Sequence, residues 1–280
     1  MNIGIVGLGL IGGSLGLDLR RQGYRVLGLS RRPETCRAAI ARGVVDDADV
    51  NFTLMAKAKV IFICTPLSAI LPTVEQLIPF LAADTVLTDV GSVKTPVVEA
   101  ITPLWHNFVG GHPMAGKTES GLDAAQANLF LGQPYVITPL ATTPVTAVES
   151  VEFLVKALGA KLYHCSPQAH DRAVAWISHL PVMVSAALIS ACMSESNPLV
   201  LSLAQHIASS GFRDTSRVGG GNPELGVMMA RYNRQELLRT LKSYRQQLDF
   251  FIDCIEKEEW GVLEEKLMQT QQARPDFLDS

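Results

Sequence analysis

The sequence predicts an α/β protein in which a doubly wound, mostly parallel sheet is followed by an all-α domain. Short apolar runs alternate with helix-period segments from residue 2 to about residue 165, the pattern of a sheet with helices on both faces. A glycine-rich run directly follows the first apolar stretch, and strand patterns end after residue 165. At 280 residues, the chain is long enough for two such domains.

The predicted strands are mostly continuous apolar runs without polar alternation, as expected of parallel strands covered on both faces. They span residues 3–6, 25–29, 60–64, 86–89, 108–110, 135–138 and 161–163. Helix-period segments lie between them, for example at residues 68–81 and 145–158. We expect these helices to connect the strands through right-handed crossovers.

Long helical segments replace the strands after Cys165, so we predict domains at residues 1–165 and 166–280. The helical segments span residues 170–193, 199–210, 224–229 and 234–267. The most apolar stretch, residues 173–193, contains Trp176, His179 and Pro181. These residues make it a poor membrane span, so we interpret it as a buried helix.

Composition narrows the classes of partner. A net charge of −3 without a basic run argues against nucleic acid and anionic membranes. Five cysteines without metal or redox spacing are typical of reduced thiols in a cytoplasmic protein, and we expect no metal site. The first residues predict a strand rather than a signal peptide. A mean hydropathy of +0.20 indicates apolar surface to cover. We therefore predict a homodimer in which the helical domains interleave and bury residues 173–193, with the active site in the crevice between the domains.

The glycine-rich run is Gly7-Leu8-Gly9-Leu10-Ile11-Gly12, with a strand before it and a helix predicted to reach about Gln22. In this context it is the dinucleotide-binding arrangement of a Rossmann-type sheet. Gly7 permits a tight turn, Gly9 lets the backbone approach a pyrophosphate, and Gly12 lets helix and strand pack closely. The helix N-terminus then offers N–H groups to the phosphates.

The end of the second predicted strand indicates which dinucleotide binds. An NAD site would carry Asp or Glu there, whereas this chain has Ser30-Arg31-Arg32. Two guanidinium groups can bind a 2′-phosphate through charge-assisted hydrogen bonds worth roughly 1.5–3 kcal/mol each. The sequence therefore predicts NADP, with a solvated surface pair of arginines as the alternative.

Two further loops follow predicted strands at the edge of the sheet where ligands bind. Cys64-Thr65-Pro66 is expected beside the ribose of the cofactor, and Asp89-Val90-Gly91-Ser92-Val93-Lys94 near the nicotinamide, with Gly91 in the cofactor site. Ser92 is a candidate helix N-cap or a hydroxyl presented to the substrate, and one role does not exclude the other.

Gly110-Gly111-His112-Pro113-Met114-Ala115-Gly116 carries the candidate catalytic base. His112 is flanked by glycines and is expected at the carboxyl end of a strand, in the next crossover after Ser92, where it can approach the cofactor crevice. An imidazole in that position can accept a proton from a substrate hydroxyl while hydride leaves for the nicotinamide.

Four blocks together resemble the arogenate/prephenate dehydrogenase family. They are Asp89-Val90-Gly91-Ser92-Val93-Lys94, Gly111-His112-Pro113-Met114-Ala115-Gly116 with Ser120-Gly121, Ile177-Ser178-His179-Leu180-Pro181, and Phe212-Arg213-Asp214-Thr215-Ser216-Arg217 with Asn222-Pro223. With the glycine run ahead of them, they span residues 7–223. The combination is much more specific than any single block.

The resemblance implies oxidative decarboxylation of a cyclohexadienyl ring without a metal. It implies that His112 takes the proton of the ring hydroxyl, that Ser92 bonds this hydroxyl or orients His112, and that Arg217 binds a substrate carboxylate. By the same resemblance, His179 lines the substrate pocket. Asp214 either orients Arg213 near the substrate or forms a plain surface or cap ion pair.

One departure from the family lies at Lys117-Thr118-Glu119, where Thr118 occupies a position that is glutamate in some members. This weakens the transfer of any gating role to the loop. The NADP preference and the absence of a fused mutase or regulatory domain resemble the arogenate-specific members, so arogenate is the expected substrate. Prephenate is the alternative.

Two rival functions remain at this point. The β-hydroxyacid and 6-phosphogluconate dehydrogenases share the layout but usually need a catalytic lysine on the first long helix of the helical domain. This chain has no lysine between Lys161 and Lys242. A non-catalytic NADP-sensing protein would explain the glycine run and the arginines. It would not explain His112, His179 and Arg217 together.

Overall fold

A computed structural model of the protein describes residues 1–117 and 119–278. Its sheet has eight strands, which are β1 (Asn2–Val6), β2 (Arg25–Leu29), β3 (Asp47–Asp49), β4 (Val60–Ile63), β5 (Val86–Asp89), β6 (Phe108–Pro113), β7 (Pro134–Thr138) and β8 (Lys161–His164). They lie in the order β3-β2-β1-β4-β5-β6-β7-β8. All neighbours are parallel except β6 and β7, so the predicted mostly parallel sheet is confirmed.

All seven predicted strands are present, with small differences at their ends. Sequence reasoning missed β3, because Asp47–Asp49 has no apolar run and pairs only at the edge of the sheet. It also ended β6 too early. Since β1 lies between β2 and β4, the strand order reverses there, and ligands bind beside such a reversal at the carboxyl ends of the strands.

Helices cover both faces of the sheet. They are α1 (Leu10–Arg21), α2 (Pro33–Ala41), α3 (Leu67–Leu77), α4 (Thr95–Ile101) and α5 (Val145–Ala157). One buried apolar cluster joins Leu15 and Leu19 of α1 and Leu154 of α5 to the sheet. A second cluster joins Ile70 of α3 and Val98 of α4 to it. The doubly wound arrangement follows from these two clusters.

The remaining helices follow the last strand. They are α6 (Pro167–Val174), α7 (Leu180–Met193), α8 (Pro198–Ile207), α9 (Ser210–Ser216), α10 (Pro223–Tyr232), α11 (Arg234–Glu256) and α12 (Trp260–Ala273). The chain divides into two compact units, Met1–Asn233 and the residues from Arg234 onward. The predicted boundary near residue 165 lies inside the first unit, between β8 and α6, and stays a prediction.

A π-helical turn, Ala175–His179, joins α6 to α7. Pro181 follows this turn and has no N–H to complete an α-helical bond to the residue four positions back. In a regular α-helix each residue turns by about 100°, so residues 170 and 179 would face in nearly opposite directions. The wider turn rotates His179 towards the side of His170, and both side chains are buried.

The second half of the long apolar segment is little covered within a single chain. Of α7, only Leu180 and Ser185 are buried, and the predicted burial of residues 173–193 between two copies of the chain stays a prediction. α7 is apolar on all sides, and one neighbouring layer can cover only one of them. By length and composition alone, Pro167–Met193 could cross a membrane, a test that core helices also pass. The expected absence of a membrane partner stays a prediction.

Candidate active site

The glycine run forms a tight cradle between β1 and α1. Gly7 has φ of +103°, and a Cβ there would lie 2.5 Å from the carbonyl oxygen of Cys64. A Cβ at Gly12 would lie 2.0 Å from the carbonyl oxygen of Gly7. Gly9 faces open space instead. The turn, the close packing and the open backbone surface agree with the functions inferred for the three glycines.

The residues around this cradle are suited to hold the phosphates of a dinucleotide. Gly9 precedes α1 without a side-chain cap, and the first turn of α1 has no acidic residue, so its N–H groups are available to an anion. The hydroxyl oxygen of Thr65 is buried without a hydrogen-bond partner in the described part of the chain. Burial raises the pKa of the neighbouring Cys64 thiol, which therefore stays neutral. Pro66 precedes α3 directly.

Ser30-Arg31-Arg32 follows β2, beside the same edge of the sheet. Both arginines are exposed. The Nε atom of Arg32 lies 4.0 Å from Glu34, a distance at the limit of an ion pair. The hydroxyl of Ser30 accepts from the backbone N–H of Arg32 over 3.3 Å. No carboxylate occupies the positions at the end of β2 where an NAD ribose would be held.

His112 lies at the carboxyl end of β6, as predicted, but inside the strand, which reaches Pro113 rather than ending at residue 110. The strand continues because β7 pairs with it, with Val136 opposite His112. The two preceding glycines are required by this packing. A Cβ at Gly110 would lie 2.5 Å from the hydroxyl of Thr138, and one at Gly111 would lie 2.7 Å from the carbonyl oxygen of Asp89.

A hydrogen-bonded chain runs from His112 into the interior. Nδ1 of His112 lies 2.8 Å from Nε2 of His170, and Nδ1 of His170 lies 2.8 Å from Oδ1 of Asp171. The carboxylate of Asp171 also accepts from the backbone N–H groups of Lys94 and Thr95, over 2.7 and 2.8 Å. Burial opposes its ionisation, but these bonds and His170 hold the pKa of Asp171 below its ordinary value.

The ionised carboxylate fixes the protons along the chain. Asp171 can only accept, so His170 carries its proton on Nδ1 and accepts with Nε2. His112 then donates from Nδ1, which leaves the lone pair on its Nε2. Burial, with the positive charge of Lys94 acting in the same direction, lowers the pKa of His112 well below 6.5. His112 is therefore a neutral imidazole whose Nε2 can take a proton.

A buried ion pair joins the loop that carries Ser92 to the strand that carries His112. The ammonium of Lys94 bonds the carboxylate of Asp89 and donates to the carbonyl of Gly111 over 2.6 Å. Asp89 also accepts from the N–H of Gly111 over 3.1 Å and from that of Gly91 over 2.8 Å. Both charged side chains have no exposed surface. The ion pair therefore fixes the loop of Ser92 against the strand of His112.

Ser92 is half-buried in this loop. The alternative in which it caps a helix is wrong, because α4 begins at Thr95 and Lys94 occupies the N-cap position. Ser92 is thus left for the substrate or for His112, and its role stays a prediction.

His179 has no exposed surface. Its Nδ1 lies 3.1 Å from the side-chain nitrogen of Asn233, and its Nε2 is buried without a partner in the part of the chain that the structure describes. Burial lowers the pKa of His179 to about 4, although Asp171 acts in the opposite direction. The side chain is therefore neutral at physiological pH.

Arg213, Asp214 and Arg217 are exposed in α9 and the short turn after it. This segment packs against α7, where a Cβ at Gly219 would lie 2.5 Å from the backbone of Ser185. Within the described residues, Asp214 forms no ion pair with Arg213, and its role in orienting a basic partner stays a prediction. The predicted substrate contacts of the two arginines stay predictions. Thr118 lies outside the described residues.

Sequence reasoning missed His170, Asp171 and Asn233. For His170 and Asp171, the available signal was a histidine followed directly by an aspartate near the start of a predicted helix. No local pattern marks Asn233, because its partners come from another helix. Among residues 1–117 and 119–278, no group of three or more His, Cys, Asp or Glu side chains is arranged to hold a metal ion.

Fold and site together define an oxidoreductase with a Rossmann-type nucleotide-binding domain. Residues 15–164 match the family model described as prephenate dehydrogenase, nucleotide-binding domain. Residues 166–269 match prephenate dehydrogenase, dimerization domain. The chain belongs to the prephenate dehydrogenase family, as its motifs predicted.

Individual relatives agree with this assignment. A prephenate dehydrogenase of Bacillus subtilis is 33% identical over 91% of this chain and 70% of its own length. A crystal structure of Synechocystis arogenate dehydrogenase is 52% identical, with a TM-score of 0.90 over 99% of this chain and 100% of that one. A prephenate dehydrogenase from A. aeolicus in complex with hydroxyphenyl propionate and NAD+ is 26% identical, with a TM-score of 0.93 over 99% of this chain and 98% of that one.

Proposed function

We propose that the protein is an NADP-dependent arogenate dehydrogenase, which oxidatively decarboxylates arogenate to tyrosine in aromatic amino acid biosynthesis. The observation that carries the proposal is the buried chain from His112 through His170 to Asp171. It supplies a neutral base at the carboxyl end of β6, in the same sheet whose glycine cradle is suited to a dinucleotide. Catalysis needs a base of this kind, and a protein that only senses NADP does not.

The proposed chemistry divides between the bound cofactor and the protein. When bound, the nicotinamide accepts a hydride from ring carbon C4. Nε2 of His112 takes the proton of the C4 hydroxyl, and His170 and Asp171 stabilise the resulting imidazolium. Loss of the ring carboxylate as CO₂ makes the ring aromatic. His112 then returns the proton to the phenolic oxygen, so that arogenate and NADP⁺ give tyrosine, CO₂ and NADPH.

Other residues hold the two reactants. Gly7, Gly9 and Gly12, with the first turn of α1, would hold the pyrophosphate, and Thr65 would contact the ribose side of the cofactor. Ser92 would bond the reacting hydroxyl. Arg217 would bind a substrate carboxylate with its two-pronged guanidinium group. These assignments rest on the open backbone at Gly9, the unpartnered hydroxyl of Thr65 and the family motifs.

The choice of NADP rests on Ser30-Arg31-Arg32. Both exposed guanidinium groups can reach solvent at the end of β2, and no carboxylate there would repel a 2′-phosphate. The related A. aeolicus enzyme is in complex with NAD+ in its crystal structure, so the proposed cofactor of this chain differs from the one bound there.

The choice of arogenate is supported by the 52% identity to a Synechocystis arogenate dehydrogenase. Prephenate, which would give 4-hydroxyphenylpyruvate, is the second candidate. It is favoured by the names of the B. subtilis and A. aeolicus relatives. The two substrates differ in the side chain and share the ring, so the base and its partners serve either one.

We also propose that the protein is a cytoplasmic homodimer. Large apolar side chains are exposed along the helices after α6, including Met193 at 68%, Leu199 at 80% and Ile207 at 68%. A second copy could cover them, and the matching family model is a dimerization domain. All five cysteines are free thiols, which suits a reducing compartment.

The proposal is tested by the absorbance of the reduced cofactor, with arogenate and prephenate each combined with NADP⁺ and NAD⁺. Turnover with arogenate and NADP⁺ alone is the expected result. Turnover only with prephenate would keep the mechanism and overturn the substrate. Turnover with neither would favour the NADP-sensing alternative.

His112→Asn separates enzyme from sensor more directly. Loss of the base should abolish turnover, while the affinity for NADP⁺ should stay nearly unchanged because the glycine cradle is intact. Full activity in this variant would remove His112 from the role of base.

A further inference from the structure

Asn233 lies at the end of α10 and is buried beneath the active site, with 5% of its surface exposed. Its side-chain nitrogen, Nδ2, donates to the backbone carbonyl of Asp171 over 2.8 Å and lies 3.1 Å from Nδ1 of His179. A backbone carbonyl can only accept a hydrogen bond. The atom facing it must therefore be the amide nitrogen, which fixes the orientation of the amide.

The orientation of Asn233 determines the tautomer of His179. An amide nitrogen carries two hydrogens and has no acceptor capacity, so Nδ1 of His179 must accept. In a neutral imidazole the hydrogen then lies on the other nitrogen, Nε2. That Nε2–H is fully buried and has no acceptor among the described residues. A buried donor left without a partner destabilises a protein by roughly 1–3 kcal/mol, which a ligand oxygen would remove.

We propose that Asn233 is a positioning residue that fixes His179 as a hydrogen-bond donor to an oxygen atom of the substrate. The inference rests on the proposed function only for the identity of that substrate. Asp171 links His112 to His179. Its carboxylate fixes the tautomer of His170, which contacts His112, and its backbone carbonyl fixes the amide of Asn233, which contacts His179. His112 consequently presents an acceptor to the substrate, and His179 presents a donor.

The donor suits either of two oxygen groups of a cyclohexadienyl acid, the ring carboxylate or the C4 oxygen. A neutral N–H bonds a carboxylate without adding positive charge beside His112. At the C4 oxygen, the same N–H would instead stabilise negative charge as the proton leaves. The two cases differ in kinetics, because the first contributes to binding and the second contributes to the chemical step.

The tautomer can be measured in the ligand-free full-length protein. In ¹⁵N-histidine NMR spectra, the signals missing in His179→Gln identify His179. We expect the pattern of an Nε2-protonated imidazole in the wild type. Asn233→Asp keeps the size of the side chain but offers only acceptors, so the proton should move to Nδ1. An unchanged pattern in Asn233→Asp would overturn the proposal, whatever the substrate is.

Kinetics test the consequence for the substrate. Asn233→Ala should lower kcat/KM for the substrate by about tenfold, the loss expected for one hydrogen bond, with little change in KM for NADP⁺. A change in KM alone indicates the carboxylate, and a change in kcat indicates the C4 oxygen. In a His179→Gln background, the glutamine amide donates without a tautomer, so Asn233→Ala should have a much smaller effect.

Asn197→Ala is a matched control for loss of stability. Asn197 caps α8 through its side-chain oxygen and contacts neither histidine. Its removal should lower the melting temperature and leave kcat/KM unchanged. Equal effects of Asn233→Ala with His179 or glutamine at position 179 would show a merely structural role and overturn the proposal.

Discussion

Nδ1 of His112 lies 2.8 Å from Nε2 of His170 inside the protein, although 58 residues separate them in the sequence. One comes from the middle of the sheet and the other from the first helix after it. The contact depends on Asp171, whose carboxylate holds the loop before α4 through two backbone N–H groups. The position of the base is therefore set jointly by the sheet and by the start of the helical region.

Asp171→Asn should lower kcat strongly. The carboxylate of Asp171 accepts hydrogen bonds from three donors. The amide of asparagine has only one acceptor oxygen, and its NH₂ group, itself a donor, would face at least one of those three donors. His170 then loses the partner that keeps its proton on Nδ1, and the lone pair of His112 is no longer fixed on Nε2. We expect kcat to fall by roughly 10²- to 10⁴-fold, the usual contribution of general base catalysis.

Binding measurements complete this test. The affinity for NADP⁺ should stay within about threefold of the wild type, because Asp171 does not contact the glycine cradle. If kcat is unchanged in a variant that folds normally, His170 and Asp171 do not orient the base.

Gly9→Ala and Gly12→Ala should separate cofactor binding from folding. A Cβ at Gly9 meets no protein atom within 4 Å, so the variant should fold with nearly the wild-type melting temperature. The added methyl group would occupy the space expected for the pyrophosphate, so KM for NADP⁺ should rise at least about tenfold. Gly12→Ala places a Cβ 2.0 Å from a carbonyl oxygen and should lower the melting temperature clearly. Equal cofactor affinity in Gly9→Ala and the wild type would contradict the cradle.

The fold could be predicted largely because its signals are local. Continuous apolar runs identified seven strands, and the glycine run identified the first crossover. Asp47–Asp49 escaped because an edge strand is stabilised by pairing rather than by an apolar pattern. The apolar composition of α7 predicts that the helix is covered, but composition does not show by what, and within one chain only Leu180 and Ser185 of this helix are buried.

The candidate site could be predicted only in part. His112 and the loop of Ser92 stand in motifs, whereas His170, Asp171 and Asn233 act through contacts between distant segments. The rotation of His179 depends on the π-helical turn before Pro181. A periodicity argument based on regular helices places that side chain on the wrong face.

Arg31→Ala should raise KM for NADP⁺ and leave KM for NAD⁺ almost unchanged. The charge-assisted bond that we propose between Arg31 and the 2′-phosphate would be worth about one to two decades of affinity. Arg25→Ala is the matched control, since Arg25 is also exposed but begins β2 at the opposite edge of the sheet. Equal effects of Arg31→Ala on both cofactors would refute recognition of the 2′-phosphate.

The stability of the protein should fall as the pH falls from about 6.5 to about 4. The pKa of His179 is about 4 in the folded protein, against 6.5 ordinarily, because the side chain is buried. Between these values the unfolded chain binds a proton that the folded chain does not, so acid favours unfolding. Above pH 6.5 His179 is neutral in both states and contributes no pH dependence. The full shift corresponds to a loss on the order of 3 kcal/mol.

Urea unfolding across this pH range, at one fixed protein concentration, measures the slope. His112 contributes in the same direction, because its pKa is also lowered by burial. Asp171 adds its own loss only near and below its ordinary pKa of 3.8. His179→Gln removes one titrating group without removing the others, so its curve should be flatter than that of the wild type. Parallel curves for the two proteins would mean that His179 titrates normally, and that it is therefore not held as the neutral, buried donor that the contact with Asn233 requires.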